Sequence, residues 1–319
     1  MSLGEFEAIA RFFSRRITRT DVTLGVGDDA ALLAPHPGQE LVAATDTIAA
    51  GRHFLEGTPA DAVGHQALAV NLSDLAAMGA DPAWALLALS VPELNVAWMV
   101  DFARGFYDLA DRHRVALVGG DTIRGPLVIT ITVMGFVTPR DALRRSGARV
   151  GDVICVSGAL GDAAAGLELL RSKRESFDSE DPRVQRFLRP TPRLALGRAL
   201  RGRANAAMDV SDGLLGDLAK LTAASGVGAR LELERLPVPA PLENESAADM
   251  ERRVLTGGDD YELLFTLPRR FADGLATLAR EGGCDVHRIG EIVEGRGITC
   301  VRHGNVEAIT VTGHDHFGA

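Results

Sequence analysis

Apolar and polar positions along the first half of the chain follow two distinct periods. Apolar, β-type runs at Leu41–Thr45, Ala85–Val91, Val115–Val118 and Leu127–Val137 read as strands, while Ala60–Met78 and Ala97–His113 carry the spacing of helices. From Thr138 the text turns polar and basic, TPRDALRRSGARVGD, before the apolar Val153–Ser157 opens a second series. That series predicts a helix from Gly161 to about Arg171, a charged exposed loop from Ser172 to Asp181 and a helix after Pro192. Strand AMDV, a helix from Gly213 to Ala224, strands Ala229–Glu234 and Tyr261–Leu267, helix Phe271–Arg280 and two terminal strands follow. The expected domains are therefore 1–138 and 139–319. Alternation in LVITITVMGFV suits a sheet with one solvated or subunit-covered face, so the expected class is α+β, two mixed α/β domains, rather than a doubly wound parallel sheet.

Charge and composition remove several functions. Thirty-four basic against forty-three acidic residues leave −9, so no diffuse cationic surface advertises nucleic acid or an anionic membrane. No stretch approaches 18 apolar residues and MSLGEFEAIARFF lacks a leader pattern, which points to the cytoplasm. Cys155, Cys284 and Cys300 are far apart and read as buried, reduced side chains rather than a disulfide framework or zinc site. The only lysines are Lys173 and Lys220, and neither sits in a Walker A loop or a V-A-I-K strand. Gly25 and Gly27 run into Asp28 and Asp29 instead of a third glycine, so a nicotinamide fingerprint is missing too.

The informative feature is a set of aspartates at the ends of apolar segments, often beside glycine. They are Asp28 and Asp29 in GVGDDAAL, Asp46 in AATDTI, Asp74 in NLSDLAAMGA, Asp121 in VGGDT, Asp209 and Asp212 in AMDVSDGL, and Asp259 and Asp260 in GGDDYELLF. Unpaired charges are costly in such text. Two like charges 4 Å apart at an effective dielectric of 20 repel by about 4 kcal/mol, so carboxylates gathered in one cleft require cations. Oxygen-only donors select magnesium, calcium or manganese, and magnesium bridging carboxylates to phosphates would let an acidic chain hold an anionic nucleotide. Ordinary readings stand beside this one. Asp28 and Asp29 also suit an Asx turn, and Asp121 a helix cap, although GGDT after VALV favours a strand end with a ligand-facing loop. Asn71 and Asp74 share a helix face at the rim of a core.

Two strand-to-helix passages, AMDVSDGL and VSGALGDAAAGL, offer backbone N–H groups to a phosphate, with Ser211 or Asp212 as a plain N-cap the compatible alternative. Arg144 and Arg145 suit a phosphate clamp or an exposed linker. His53 in AGRHFL faces either substrate or structure. His314 and His316 are read as a packed or substrate-facing tail, because no third and fourth metal partners accompany them.

Together, GDDAA, ATDT followed by RHF, NLSDLAAMGA, GGDT, VSGALGDAAAGL, RPTPR, AMDVSDGL and GDDYELLFT resemble the thiamine-monophosphate kinase family, in its order, from Gly27 to Phe317. The resemblance implies ATP-dependent phosphorylation of thiamine monophosphate to thiamine diphosphate with several Mg2+ ions. It also implies a homodimer whose N-terminal sheets pair into a barrel-like interface, and a C-terminal α/β sandwich. On the family's pattern Asp28, Thr45, Asp46, Asp74, Asp121, Asp209 and Asp212 would hold metal. Gly120, Asp121, Arg145 and Ser211 would meet ATP, and His53, Asp259 and Phe317 the thiamine monophosphate. The chain departs from the pattern in two places: His314 stands where an aromatic is common, leaving His314 or Phe317 to stack, and Asp259 stands where glutamate is common. Other enzymes of the wider superfamily, aminoimidazole ribonucleotide synthetase-like or selenophosphate synthetase-like, and a non-enzymatic divalent-ion-binding protein are the rival readings.

Overall fold

The structure, a computed structural model, describes residues 4–240 and 246–309. Two compact units divide it, one of residues 1–75 and 80–140, the other of residues 76–79 and 141–319.

The first unit is built on a four-stranded mixed sheet. Strands β3 (Glu40–Ala49), β4 (Asp81–Val91), β5 (Ala116–Arg124) and β6 (Val128–Val137) lie in the order β3-β6-β4-β5. β6 is antiparallel to both neighbours, and β5 runs parallel to β4. Helix α2 (Ala60–Ala77) precedes β4, and α3 (Val96–His113) makes the crossover that the parallel pair requires. Alanine and glycine in α2 permit close packing: a side chain on Gly64 would strike the backbone of Phe102, and one on Gly105 the backbone of Asp61. Ile48, Leu87, Leu89, Ile129 and Ile131 are buried on one face of the sheet, whereas Leu41, Thr45, Thr47, Leu86 and Ala88 are exposed on the other.

A small hairpin, β1 (Val22–Leu24) and β2 (Leu32–Leu33), was not foreseen and is held by Asp21. Its carboxylate accepts from the Arg19 guanidinium, from Nε1 of Trp84 at 3.2 Å and pairs with Nε2 of His36 at 2.9 Å. His36 stacks on Phe136 with centroids 4.1 Å apart, and Trp84 meets the same ring edge-on. The short anchor α1 (Glu5–Ala8) continues into a turn at Ile9–Phe13 whose last carbonyl accepts from the Tyr107 hydroxyl.

The second unit carries a seven-stranded sheet. Its strands are β7 (Val153–Ser157), β8 (Ala206–Val210), β9 (Gly228–Glu232), β10 (Glu262–Leu267), β11 (Val286–Val293), β12 (Gly297–Arg302) and β13 (Asn305–Glu307), ordered β13-β12-β9-β11-β7-β10-β8. Only β12 and β9 pair in parallel. β7, β8 and β10 are buried at every position, so they show no in–out alternation, and Asp209 and Glu262 stand in them as buried charges among apolar residues. Helices α4 (Asp162–Arg171), α5 (Pro182–Leu188), α6 (Leu194–Leu200), α7 (Leu214–Ser225), α8 (Ala247–Thr256) and α9 (Leu275–Gly282) complete it.

The architecture is mixed α/β in several sheets, and no closed barrel is present among the described residues. Several expectations need correction. α5 and α8 were missed, the first a short helix of 7 residues and the second set in charged text, although Asp181 and Ser246 cap them as their residue types allow. The helix expected at Phe271–Arg280 divides into a 3-10 turn, Arg269–Gly274, and α9. A third terminal strand, β13, adds to the two expected.

Burial alone would raise the Asp21 carboxyl, but the hydrogen bonds from Arg19, Trp84 and His36 and the Arg19 charge bring it down to about 2. A carboxylate depressed in the folded state stabilises above its unfolded pKa and loses that contribution as pH falls through the folded value. Asp21→Asn is expected to cost about 1–3 kcal/mol in urea denaturation at neutral pH. The gap from wild type should narrow only as pH falls from about 4 towards 2; a gap independent of pH would show that the charge is not what holds the hairpin.

Candidate functional site

In the first unit a cavity of about 800 Å³ lies between the β1–β2 loop and β5, and Asp28, Gly120 and Asp121 all line it. Asp28 follows Gly27, whose φ of +125° suits only glycine, and its Oδ1 accepts the N–H of Asp29 at 2.8 Å. The turn and the cavity-facing carboxylate are thus one structure. GGDT is not a strand end, as expected, but lies inside β5, where Gly120 pairs with Leu87 and Asp121 with Ala88. Gly120 has φ +152°, and a Cβ there would collide with the Leu87 carbonyl. The unbranched backbone keeps β5 against β4 while Asp121 emerges on the open face.

The other expected ligands of this unit separate. Thr45 and Asp46 are neighbours on a strand and so face opposite sides of the sheet. Thr45 Oγ1 bonds the Ile131 carbonyl at 3.1 Å and the Thr132 hydroxyl at 3.0 Å, a ladder that Thr47 and Thr130 repeat at 2.7 Å. It shares the open face with Asp121, but β3 and β5 are three strand spacings apart, roughly 14 Å, so one ion cannot join them. On the other face the Asp46 N–H donates to Asn71 Oδ1 at 2.9 Å, bringing β3 beside α2 one turn before Asp74. Asn71 is buried, as the core-rim reading expects, and Asp74 is half-buried. His53 ends this region, its Nδ1 accepting the Ala49 N–H at 3.2 Å.

In the second unit the two expected phosphate cradles are filled by the protein itself. The N–H groups of Ser211 and Asp212 donate to Oδ2 of Asp217 at 2.9 and 3.0 Å. The Gly161 N–H donates to both carboxyl oxygens of Asp260, at 3.0 and 2.9 Å. These three amides thus each have a carboxyl partner within the protein. Asp217 is wholly buried; burial pushes its carboxyl up against the pull of Lys220, whose Nζ lies 2.8 Å from it and 2.5 Å from Asp212. Asp209 is buried at the end of β8, and Ser211 follows it at the turn into α7. The Arg145 side chain is exposed, and its carbonyl accepts from the Ser225 hydroxyl at 3.0 Å.

Asp259 lies in a smaller cavity of about 380 Å³ with Glu168, Arg171, Arg252 and Arg253. Burial, with the nearby Asp212 charge, pushes its carboxyl up to about 6 against the Tyr261 hydroxyl and Arg171. Both Asp259 and Tyr261 hold positive φ, +68° and +51°, strain that favours neither residue type. Phe317, His314 and His316 lie outside the described residues. Sequence reading passed over Asp217, Glu262 and Arg186. Asp217 in LLGDLAKL and Glu262 in YELLF obey the same rule that singled out the other aspartates, a charge interrupting apolar text; Arg186 in RVQRFL carries no such mark.

Among the described residues no three His, Cys, Asp or Glu side chains stand together as a finished metal centre. What the first unit does present is a set of carboxylates on one cavity, Asp28, Asp29 and Asp121, with no histidine or cysteine among the residues that line it and a thioether, Met134, as the one sulfur there. Such donors suit a hard cation that completes its shell with substrate oxygens and water. No helix among the described residues is long and apolar enough to cross a membrane.

Residues 27–137 match the AIR synthase related protein N-terminal domain, and residues 149–303 the corresponding C-terminal domain. Fold and acidic cavity thus define a two-domain protein of the AIR synthase-related class. The thiamine-monophosphate kinase of Escherichia coli strain K12 is 45% identical, covering 99% of each chain. A crystal structure of thiamine-monophosphate kinase from Stenotrophomonas maltophilia K279a superposes with a TM-score of 0.88 at 46% identity, over 96% of this chain and 99% of that one. A structure described as AaThiL complexed with AMPPCP and TMP superposes at 0.78 with 33% identity, over 99% of this chain and 97% of that one. This chain belongs to the thiamine-monophosphate kinase family.

Replacing Gly120 by alanine is expected to destabilise the first unit by about 2 kcal/mol or more, through both its φ and the blocked approach to Leu87. Chemical denaturation checks this, and an unchanged midpoint would remove the close-approach account of the glycine pair.

Proposed function

We propose that the chain transfers the γ-phosphoryl group of ATP to thiamine monophosphate, giving thiamine diphosphate and ADP. The observation that carries this reading is full-length identity of 45% to a thiamine-monophosphate kinase, with Asp28, Gly120 and Asp121 arrayed on one cavity. The acceptor is itself a phosphate, largely ionised at pH 7, so direct in-line displacement needs no general base. Of this chain's residues, Gly120 and Asp121 would meet the nucleotide in the first unit, and Arg145 and Ser211 in the second. The Arg145 guanidinium is exposed and suited to grip two phosphate oxygens. Asp28 and Asp121 would hold magnesium, with Thr45, Asp46 and Asp74 in the same unit and Asp209 and Asp212 in the other as the further holders. Bound magnesium supplies the neutralising charge that two anionic substrates need in order to approach. His53, Asp259 and Phe317 are assigned to thiamine monophosphate, Asp259 as the carboxylate that balances the thiazolium cation.

Thiamine diphosphate should form from ATP only when thiamine monophosphate is present. Trapping of a phosphorylated protein in rapid-quench experiments would overturn direct transfer, and turnover of free thiamine in place of its monophosphate would overturn the substrate assignment. Since Asp259 is neutralised below about pH 6, its attraction for the cation fades there, and KM for thiamine monophosphate should rise as pH falls. The substrate phosphate titrates in the same range, so the difference between wild type and Asp259→Asn isolates the carboxylate; identical profiles would remove Asp259 from the site.

A second copy of the chain is the proposed cover for the open face of the four-stranded sheet, where Leu41 is 51% exposed and Ile123 56% exposed. Two such faces would pair into the barrel-like interface of a homodimer. Ile123→Lys with Leu41→Lys should halve the mass in sedimentation equilibrium while leaving the circular dichroism spectrum intact. A monomeric wild type would overturn the interface.

A further inference from the structure

The segment Gly257–Glu262 carries Asp259 in a backbone that its sequence does not favour. Asp259 and Tyr261 both occupy the left-handed region, at φ +68° and +51°, where the Cβ of a non-glycine residue crowds the following carbonyl. Something must hold them there. From β8 come two hydrogen bonds: the Asp259 N–H donates to the Ser211 carbonyl at 3.0 Å and the Tyr261 N–H to the Val210 carbonyl at 2.8 Å. These grip the odd-numbered residues only.

The even-numbered residues are gripped from elsewhere. Asp260 and Glu262 are both wholly buried. The Asp260 carboxylate takes the Gly161 N–H, and Nη2 of Arg186 on α5 donates to the Asp260 carbonyl at 2.8 Å. The same guanidinium nitrogen pairs with Glu262, and Nε of Arg186 lies 3.7 Å from Asp162. Glu262 has further partners in Arg193, whose Nε donates at 2.7 Å, and in the Ser157 hydroxyl. Burial pushes the Asp260 carboxyl well above the usual range, whereas at Glu262 the Arg193 hydrogen bond and the Arg186 and Arg193 charges outweigh burial and hold it below. Arg193 acts on the side chain of Glu262; Arg186 also acts on the main chain between Asp259 and Tyr261.

We infer that Arg186 is a positioning residue for thiamine monophosphate: its guanidinium bridges the Asp260 carbonyl and the Glu262 carboxylate and so holds the left-handed turn that aims Asp259. Arg186 does not itself touch the substrate. Lysine at this position would keep a charge for Glu262 but lose the two N–H groups of Nη2 that the rigid guanidinium plane aims at the Asp260 carbonyl and the Glu262 carboxylate together. The turn would then relax towards ordinary backbone angles and swing Asp259 away. The inference rests on the reading of Asp259 as a substrate contact.

Steady-state kinetics of Arg186→Lys in the full-length protein tests it, with folded fraction fixed by thermal melting. KM for thiamine monophosphate is expected to rise about tenfold, with kcat and KM for ATP within about twofold of wild type. Arg193→Lys, which loosens Glu262 alone, should lower the melting temperature and leave KM for thiamine monophosphate unchanged. In an Asp259→Asn background, Arg186→Lys should add no further rise in KM, the non-additivity expected of residues acting as one unit. If Asp259→Asn by itself leaves KM for thiamine monophosphate unchanged, the substrate role of Asp259 fails. If Asp259→Asn raises KM but Arg186→Lys only lowers the melting temperature, or lowers kcat in step with active protein, the positioning role fails. Should Arg186→Lys not fold, Asp260→Asn loosens the same turn through its hold on Gly161. It is expected to give the same selective rise in KM, and an unchanged KM in that variant would overturn the inference.

Discussion

A carboxylate taken out of water must find donors, and most of the organisation of this molecule follows from where each buried acid finds them. Asp21 gathers Arg19, His36 and Trp84 and pins a hairpin. Asp217 and Asp260 each take the backbone N–H groups at a helix start, and Glu262 draws in Arg186, Arg193 and Ser157. Asp21, Asp260 and Glu262 join segments distant in sequence, whereas Asp217 answers groups within the same turn, so the polar interior specifies which loops meet as well as satisfying its own charges.

This division of labour separates structural acids from those left for chemistry. In the second unit the Gly161 amide at the start of α4 and the Ser211 and Asp212 amides just before α7 are taken by Asp260 and Asp217. In the first unit Asp28 and Asp121 line an open cavity with no lysine or arginine among its lining residues. An anionic nucleotide would be repelled by such a surface unless cations accompany it, which makes the acidity of the cavity a requirement for metal instead of an obstacle to substrate.

Much of this was legible before any coordinates. The 3.6-residue periodicity located α2 and α3 to within a residue or so of their ends, and the apolar runs located β3, β4, β6 and β7, because period and residue type are local properties of the chain. Of the aspartates that interrupt apolar text, Asp209 and Asp260 are buried, whereas Asp28, Asp29, Asp46 and Asp121 are exposed. Their jobs were not legible. Asp260 and Asp121 look alike in sequence, each following a glycine pair or its neighbour, yet one is sealed under Gly161 and the other faces a cavity. Arg186, on a short helix that carries no strong periodic signal, could not be distinguished from surface arginines at all.

What the sequence by itself determined is most of the longer helices and strands, the family, and the principle that its buried acids must be answered by donors or cations. Tertiary structure alone decided which answer each acid received. Hydrogen-bond partners such as Gly161 and Asp260 are 99 residues apart, and Thr45 and Asp46, adjacent in the chain, end on opposite faces of a sheet. The physical reason is that propensity and periodicity act over a few residues, whereas the neutralisation of a buried charge depends on whichever distant segment the fold brings within about 3 Å.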